Sequence, residues 1–449
     1  MIMSNLLEIS KHLSNATLIE ENATFQGCST DSRTLKENNL YIALKGENFD
    51  GHDFVEQAIQ KGAVGIITEK KLDLNIPQLI VLNAKIALGE LANFWRNQSQ
   101  TKIVAITGSN GKTTTKEMLA SILREQFNIL ATQGNLNNDI GVPLTLFQLN
   151  QDYQYAVIEM GANHPKEIGY LTNIAQPQVA VITNCSPAHL EGFGSIEGVA
   201  QTKGEIYQGL SNEGIAIINA DDSFSAYWKG SNRERGILTF GLEKPANITA
   251  KNIQYNGLTT SFILSTSTEE IKIKLNVAGK HNLMNALAAS SCAIALKLDL
   301  KIIKQGLEKM QAVNGRLQSV SGIRNTTILN DTYNANPASL KAALQVLENC
   351  QKPRWVALGN MLELGENAAL FHREAGQFAK QMGIDCLIAT GELSKNAVEG
   401  FGENGFYFEE QEGLILFLKE NLPTNATLLV KGSRGSKMER VVSALISLQ

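Results

Sequence analysis

The stretch that most constrains this chain is Thr107-Gly-Ser-Asn-Gly-Lys-Thr-Thr-Thr-Lys116. An apolar run, Ile103 to Ile106, precedes it, and a helical pattern, Glu117 to Phe127, follows. A glycine-rich turn between strand and helix aims successive backbone N–H groups at one point. The first turn of the helix adds its positive dipole end. Gly108, Ser109, Asn110, Gly111 and Thr114 shape the turn, Lys112 supplies a point charge, and Thr113 offers a hydroxyl suited to Mg²⁺. The full phosphate-loop pattern would need glycine at position 106, where this chain has Ile106, so the motif is a shortened form. An ordinary glycine-rich turn is the plain alternative. The strand–turn–helix context favours a polyphosphate site, and a parallel α/β sheet to carry it.

At 449 residues the chain exceeds one ordinary core; length alone suggests two to four domains, and the pattern along the chain reads as three α/β units. Residues 1–98 form a small α/β domain, 99–313 a central ATPase-like domain built on a parallel sheet, and 314–449 a Rossmann-like domain. In the first, strands at Leu40–Leu44, Gly65–Thr68 and Pro77–Leu82 alternate with helices at Leu6–Leu13, Phe54–Lys61 and Ile86–Arg96. The central unit carries short apolar runs at Tyr155–Ile158, Val179–Thr183 and Gly214–Asn219, as buried parallel strands do. Thr249–Thr266 and Ile271–Val277 lack intervening helices and read as an antiparallel edge or appended sheet, with a closing helix at His281–Leu298. Asn314-Gly315-Arg316 marks the next boundary. Strands at Thr327–Leu329, Trp355–Leu358, Cys386–Ala389 and Thr427–Val430 then alternate with helices at Pro337–Leu347, Ala369–Met382, Leu414–Glu420 and Met438–Leu445.

A net charge of −4 argues against nucleic acid as the main partner. Five scattered cysteines without a C-x-x-C pair read as reduced thiols. The N-terminus shows no signal-peptide pattern and no apolar helix is long enough for a bilayer, so a cytoplasmic protein without membrane insertion is expected.

Several polar residues stand where such a sheet presents ligands. Glu159 ends an apolar strand, and a carboxylate beside a phosphate loop is a natural Mg²⁺ ligand, with a solvated loop residue as the alternative. His189 follows the strand ending at Thr183, at the same sheet edge. Lys203 opens a helical stretch and by sequence alone reads as an exposed lysine. Asn282 and Asn285 share one helix face; they could read an adenine edge or cap the helix, and spacing alone favours the cap. Arg316 lies in the hinge, where a closing domain could bring it to phosphate. Asp331, Tyr333, Asn334 and Asn336 crowd a strand-to-helix turn before Pro337, where Asn336 could equally be a helix cap. Ser29, Thr30, Asp31, Ser32 and Arg33 could hold a sugar nucleotide, although a polar turn is the simpler reading.

Together these residues resemble the Mur ligase family, the ATP-dependent amide-forming enzymes of peptidoglycan synthesis. The loop Thr-Gly-x-x-Gly-Lys-Thr-Thr is of that family's form. Gly134-Asn-Leu-Asn-Asn-Asp-Ile-Gly-Val-Pro143, Glu159-Met-Gly-Ala-Asn163, Asn330-Asp-Thr-Tyr-Asn-Ala-Asn-Pro337 and Met361-Leu-Glu-Leu-Gly365 resemble its dipeptide-adding branch. The resemblance covers all three units. It implies that Lys112 and Thr113 hold ATP phosphates and a first Mg²⁺, with Glu159 as a further ligand. It implies that His189 and a carbamylated Lys203 hold a second Mg²⁺, that Asn282 and Asn285 face adenine, and that Arg316 reaches the phosphates. Asp331 would hold the ribose and the hinge. Ser29 to Arg33 and the loop Gly46 to Asp53 would bind the uridine nucleotide, and Asn135 and Asn138 would lie near the muramyl group. The implied activity joins D-Ala-D-Ala to UDP-N-acetylmuramoyl-tripeptide through an acyl phosphate, the last cytoplasmic step of precursor assembly, in a monomer. The alternatives are a related ligase or folylpolyglutamate-type synthase adding one amino acid, or a non-catalytic nucleotide-binding subunit. One departure stands out: Asn360 replaces an expected aspartate after Gly359.

Overall fold

The computed structural model describes residues 2–187, 190–211 and 213–447. Its first unit is a five-stranded sheet of β1 (Thr17–Ile19), β2 (Cys28–Ser29), β3 (Leu40–Ile42), β4 (Gly65–Thr68) and β5 (Gln78–Ile80), ordered β1-β5-β4-β3-β2. Only β1 runs antiparallel to its neighbour. Helix α1 (Ala84–Asn97) then leads to the central unit. The join is not a free tether. Arg96 donates from Nε to Ala175 O at 2.9 Å, Asn93 donates to Ile174 O at 3.0 Å, and one apolar cluster runs from Ile2 and Leu88 through to Ile103 and Leu171.

The central sheet is six parallel strands: β6 (Lys102–Thr107), β7 (Ile129–Ala131), β8 (Tyr155–Glu159), β9 (Val179–Ile182), β10 (Ile215–Asn219) and β11 (Gly236–Phe240). Their order is β11-β10-β9-β6-β8-β7. The apolar runs of β6, β8, β9 and β10 are buried on both faces, as parallel strands require. Register pairs Glu159 with Ile106 and Ile182 with Thr107, so the carboxyl ends of β8, β6 and β9 form one level edge. Ligand crevices in open parallel sheets lie outside such an edge. Helix α2 (Lys112–Arg124) leaves β6 through the phosphate loop, and α3 (Ile196–Gly204) follows β9.

Three antiparallel strands, β12 (Thr249–Asn256), β13 (Thr259–Ser265) and β14 (Glu270–Leu275), make a separate appended sheet. Helix α4 (Lys280–Ala295) packs on the central sheet; its Leu283, Ala286, Leu287, Ala288, Ala289, Cys292 and Ala293 are all fully buried. The alanines let α4 approach α2 closely. Helix α5 (Leu300–Lys309) backs α2 from the other side.

The third unit has six strands: β15 (Gln318–Gly322), β16 (Thr326–Asp331), β17 (Arg354–Leu358), β18 (Cys386–Thr390), β19 (Gly405–Phe408) and β20 (Thr427–Lys431). Their order is β15-β16-β20-β17-β18-β19, parallel except for β15. Helix α6 (Pro337–Glu348) follows β16.

Some elements depart from the sequence expectation. Helix α2 begins at Lys112, five residues before Glu117, because the loop's glycines and not the three threonines set its start. Helix α5 is an addition to the expected elements, although its buried Leu300, Ile303 and Leu307 recur at i, i+3 and i+7; strands β7, β11, β15 and β19 carry no clear sequence pattern of their own. All four strands lie at sheet edges, where one side is half-open and the apolar run shortens.

The seat of α2 depends on Gly306 in α5. A Cβ there would sit 2.3 Å from Ile122 Cα, and Ser121 Oγ donates to Gly306 O at 2.7 Å. Gly306→Ala should therefore lower stability by about 1–3 kcal/mol despite alanine's better helix propensity. A thermal-melt midpoint below that of the unaltered chain would bear this out; an equal or higher midpoint would show that the two helices can part freely.

Candidate active site

The phosphate loop takes its shape from two glycines in the left-handed region. Gly108 has φ +150° and Gly111 φ +81°, and a Cβ at Gly108 would fall 1.9 Å from Thr183 Oγ1. A Cβ at Gly111 would fall 2.2 Å from Asn285 Oδ1. The loop is thus clamped between the end of β9 and helix α4. Ser109 donates to Ser186 O at 2.9 Å, and Asn110 O accepts from Thr183 Oγ1 at 2.6 Å. Lys112 folds back onto Gly108 O at 2.8 Å.

Glu159 is buried at the end of β8. Its Oε1 accepts from Asn137 Nδ2 at 2.8 Å, while Oε2 is buried without a hydrogen-bond partner. An orphaned, buried carboxylate oxygen beside a phosphate loop is the donor a hard cation requires. Among the described residues no three of His, Cys, Asp and Glu converge as a ready-made cage. That suits Mg²⁺, which takes one or two protein oxygens and completes its shell with phosphate and water.

The cations are set close together. Burial pushes the Lys112 ammonium below its ordinary value, helped by Arg316 and opposed by Glu159. Lys203, only 3% exposed, is pushed down to about 7, by burial first and then by Lys112. Its Nζ sits 5.8 Å from the Phe193 ring centroid. Two sequence expectations fail here. Lys203 is buried, not exposed, and it lies in the last turn of α3, not at its start.

The third unit reaches into this site. Arg316 donates from Nη2 to Thr113 Oγ1 at 2.9 Å and stacks 4.2 Å over the Tyr333 ring. Asn336 donates to Asn110 Oδ1 at 2.9 Å and also caps α6, its side chain accepting from Ser339 N. The capping reading of Asn336 therefore holds. Asp331 accepts from Leu317 N at 3.1 Å, fixing a hinge residue with φ 51°, and pairs with the buried Lys431. Lys431 also donates to Asn334 O at 2.9 Å.

One cavity of about 770 Å³ joins these groups. Gly108 to Thr114, Glu159, Lys203, Asn282, Asn285, Arg316, Asp331, Tyr333, Asn334 and Asn336 all line it, as do Asn135 and Asn138. His189 lies outside the described residues. Asn282 and Asn285 do not cap α4, whose N-cap is Gly279. Asn282 donates to Ala278 O at 2.8 Å, Asn285 donates to Asn282 Oδ1 at 3.4 Å, and Asn285 Oδ1 accepts from Thr115.

Ser29 to Arg33 do not line this cavity. Ser29 ends β2 and Thr30 to Arg33 follow it, at the carboxyl edge of the first sheet. Asp31 binds Arg33 through a 2.8 Å ion pair, which holds its carboxyl below the usual range, and Ser32 donates to Gln57. In the loop after β3, Asp50 accepts from His52 N at 3.0 Å, and Tyr41 donates to Gly51 O at 3.0 Å. Asn360, the departure in the third unit, accepts from Ser394 N and Ser394 Oγ, each at 3.0 Å, so its amide oxygen does a carboxylate's capping work.

Sequence reasoning missed Asn137, Lys431, His281 and Gln345, all of which line the cavity. Asn137 lay inside a string already singled out, and Lys431 ended a buried strand, a charge that only a partner can justify.

The low pKa of Lys203 fixes a stability trend. Its folded-state value of about 7 lies below the ordinary 10.5, so the unfolded chain binds more protons between those pH values. The penalty for burying this ammonium is full below pH 7 and is lost as pH rises toward 10.5. In bicarbonate-free buffer, where Lys203 carries its free amine, Lys203→Met should therefore raise the thermal midpoint more at pH 7 than at pH 10, measured against the unaltered chain at each pH; a gain independent of pH would contradict the assignment.

Three family models match the chain: the Mur ligase middle domain over 106–293, the Mur ligase glutamate ligase domain over 315–434, and the Mur ligase family catalytic domain over 24–118. The chain is 42% identical over 434 residues to the UDP-N-acetylmuramoyl-tripeptide–D-alanyl-D-alanine ligase of Escherichia coli strain K12, covering 96% of each. A crystal structure of MurF from Acinetobacter baumannii superposes with a TM-score of 0.92 at 36% identity, covering 98% of this chain and 97% of that one. The MurF ligase of Thermotoga maritima in complex with ADP superposes with a TM-score of 0.84 at 27% identity, covering 93% and 96%.

Proposed function

The chain belongs to the Mur ligase family, and from that premise we propose how its cavity works. It is an ATP-dependent ligase that joins D-Ala-D-Ala to UDP-N-acetylmuramoyl-tripeptide. The observation that carries the mechanism is the single cavity in which the phosphate loop, Glu159, Lys203 and the hinge residue Arg316 meet.

The tripeptide's terminal carboxylate oxygen attacks the γ-phosphorus of ATP. An acyl phosphate forms and ADP leaves. Both reactants are anions, so the site must offset their repulsion before they touch. Lys112 and the loop N–H groups face the phosphates, and Arg316 swings its guanidinium over them from the hinge. Thr113 and Glu159 would hold one Mg²⁺, and Lys203 with His189 a second; bound there, the ions supply charge neutralisation. A neutral amine is the form that adds CO₂, and a pKa of about 7 leaves much of Lys203 in that form near neutrality. Carbamylation would turn this buried cation into a carboxylate-like ligand.

The amine of D-Ala-D-Ala, having shed its proton, then attacks the acyl carbon. The C–N bond forms, the C–O bond to phosphate breaks, and phosphate carries away the bridging oxygen. Water must be kept out, because it would hydrolyse the acyl phosphate. Tyr333, Asn334 and Asn336 place the third unit over the loop to do so.

The uridine nucleotide would sit at the carboxyl edge of the first sheet, on Ser29 to Arg33 and the Gly46 to Asp53 loop, with Asn135 and Asn138 near the muramyl group. Asp331 would steady the ribose from the hinge. The three units thus take the roles of uridine-nucleotide, ATP and incoming-dipeptide domains. We place the enzyme in the cytoplasm, as a monomer; no helix among the described residues is long and apolar enough to cross a membrane.

The test is phosphate release from ATP with UDP-muramyl-tripeptide, comparing D-Ala-D-Ala with single amino acids and glutamate. Release dependent on the dipeptide is expected, and release only with a single amino acid would sink the choice of acceptor. Lys203→Ala should lose about a hundredfold or more in kcat, as removal of a key electrostatic group does, with partial rescue by short carboxylic acids. Full activity without rescue would refute the carbamate.

A further inference from the structure

The cavity has a second end, away from the phosphate loop. There its walls are Lys280, His281 and Met284 of α4 and Ala338, Ala342 and Gln345 of α6. The α6 residues recur at i, i+4 and i+7, which puts them on one helical face. The two helices meet beside this end. A Cβ at Gly279, where φ is +96°, would fall 2.7 Å from Val346 Cγ2, and Ala278 belongs to the same apolar cluster as Leu340 and Leu347.

Both helices are also fixed at the phosphate loop. Asn285 abuts Gly111, and Asn336, at the start of α6, donates to Asn110. From Asn336 to Gln345 the helix rises about 13 Å, at roughly 1.5 Å per residue. That is the scale of the reach from a bound polyphosphate to its base. The two alanines leave room for a flat ring between the helices.

Selectivity then falls to polar atoms free to read a base. Asn282 and Asn285 commit part of theirs to Ala278, to each other and to Thr115. His281, pushed down to about 4 chiefly by burial, is uncharged near neutrality. Gln345 is exposed at the cavity wall, and its side-chain amide makes no hydrogen bond among the described residues; only its backbone carbonyl is engaged by another side chain, that of Asn349.

We propose that Gln345 selects adenine, its amide accepting from the N6 amino group and donating to N7 of a base held between α4 and α6. A side-chain amide fits that adenine edge in two hydrogen bonds. Nucleotide choice then draws on the third unit as well as on the domain that grips the phosphates. This inference rests on the ATP-dependent ligase reading above.

The experiment compares phosphate release from ATP and from ITP, which keeps the ribose and phosphates but carries oxygen at position 6. Gln345→Ala should cut the ATP-over-ITP preference in kcat/KM roughly tenfold, mostly through KM for ATP. Gln345→Glu, which can accept from N6 but not donate to N7, should not restore it. If either variant loses ATP and ITP activity by the same factor, leaving the preference intact, Gln345 is merely structural and the inference falls. If the unaltered chain releases phosphate from neither nucleotide with both substrates present, the ligase reading itself falls with it.

Discussion

The site depends on one hydrogen bond that spans 203 residues of chain, from Arg316 to the hydroxyl of Thr113. Everything before it builds a phosphate loop on a parallel sheet. Everything after it builds a second sheet whose job is to arrive over that loop. A charge-assisted bond of this kind is worth more than a neutral one and fixes a direction as well as a distance. The Arg316 guanidinium stacks 4.2 Å over the Tyr333 ring, and Asp331 pins the left-handed turn at Leu317 beside it. The second strut, Asn336 to Asn110, works because the same asparagine is already immobilised as the cap of α6.

Around that contact the protein concentrates positive charge where burial disfavours it. Lys112, Lys203 and Arg316 share one cavity with a single buried carboxylate, Glu159, among them. The ammonium groups of Lys112 and Lys203 are both pushed down, and Lys112 contributes to the shift at Lys203. Such an arrangement is costly in isolation and makes sense as a template for a polyanion, whose binding offsets the repulsion. The apolar scaffold carries that cost: α4 is buried on nearly every side, and Gly306 lets α5 brace α2 from behind.

Much of this was legible in the sequence. The loop Thr107 to Lys116 dictated strand, turn and helix because only glycine tolerates the φ values at 108 and 111. Glu159 and Arg316 were legible for a similar reason, standing at the ends of strongly apolar or strongly punctuated runs. What could not be read was burial of polar residues by distant chain. Lys203 looked like a surface lysine, since nothing local says that it is buried beside the Phe193 ring. Asn282 and Asn285 looked like caps, since the sequence does not reveal that Gly279 takes that position and leaves the pair to brace the loop. The Asp331–Lys431 pair lies 100 residues apart, beyond the reach of any local pattern. Strands β11 and β19 escaped notice because edge strands need less apolar sequence than central ones.

The central claim is that the cavity turns a carboxylate into an acyl phosphate. Oxygen-isotope transfer reports on it most directly. With both oxygens of the tripeptide's terminal carboxylate carrying oxygen-18, the phosphate released on reaction with D-Ala-D-Ala should contain one labelled oxygen, because the bridging atom leaves with phosphorus. Released phosphate free of label would mean that the carboxylate never bonded to phosphorus, and would contradict the account.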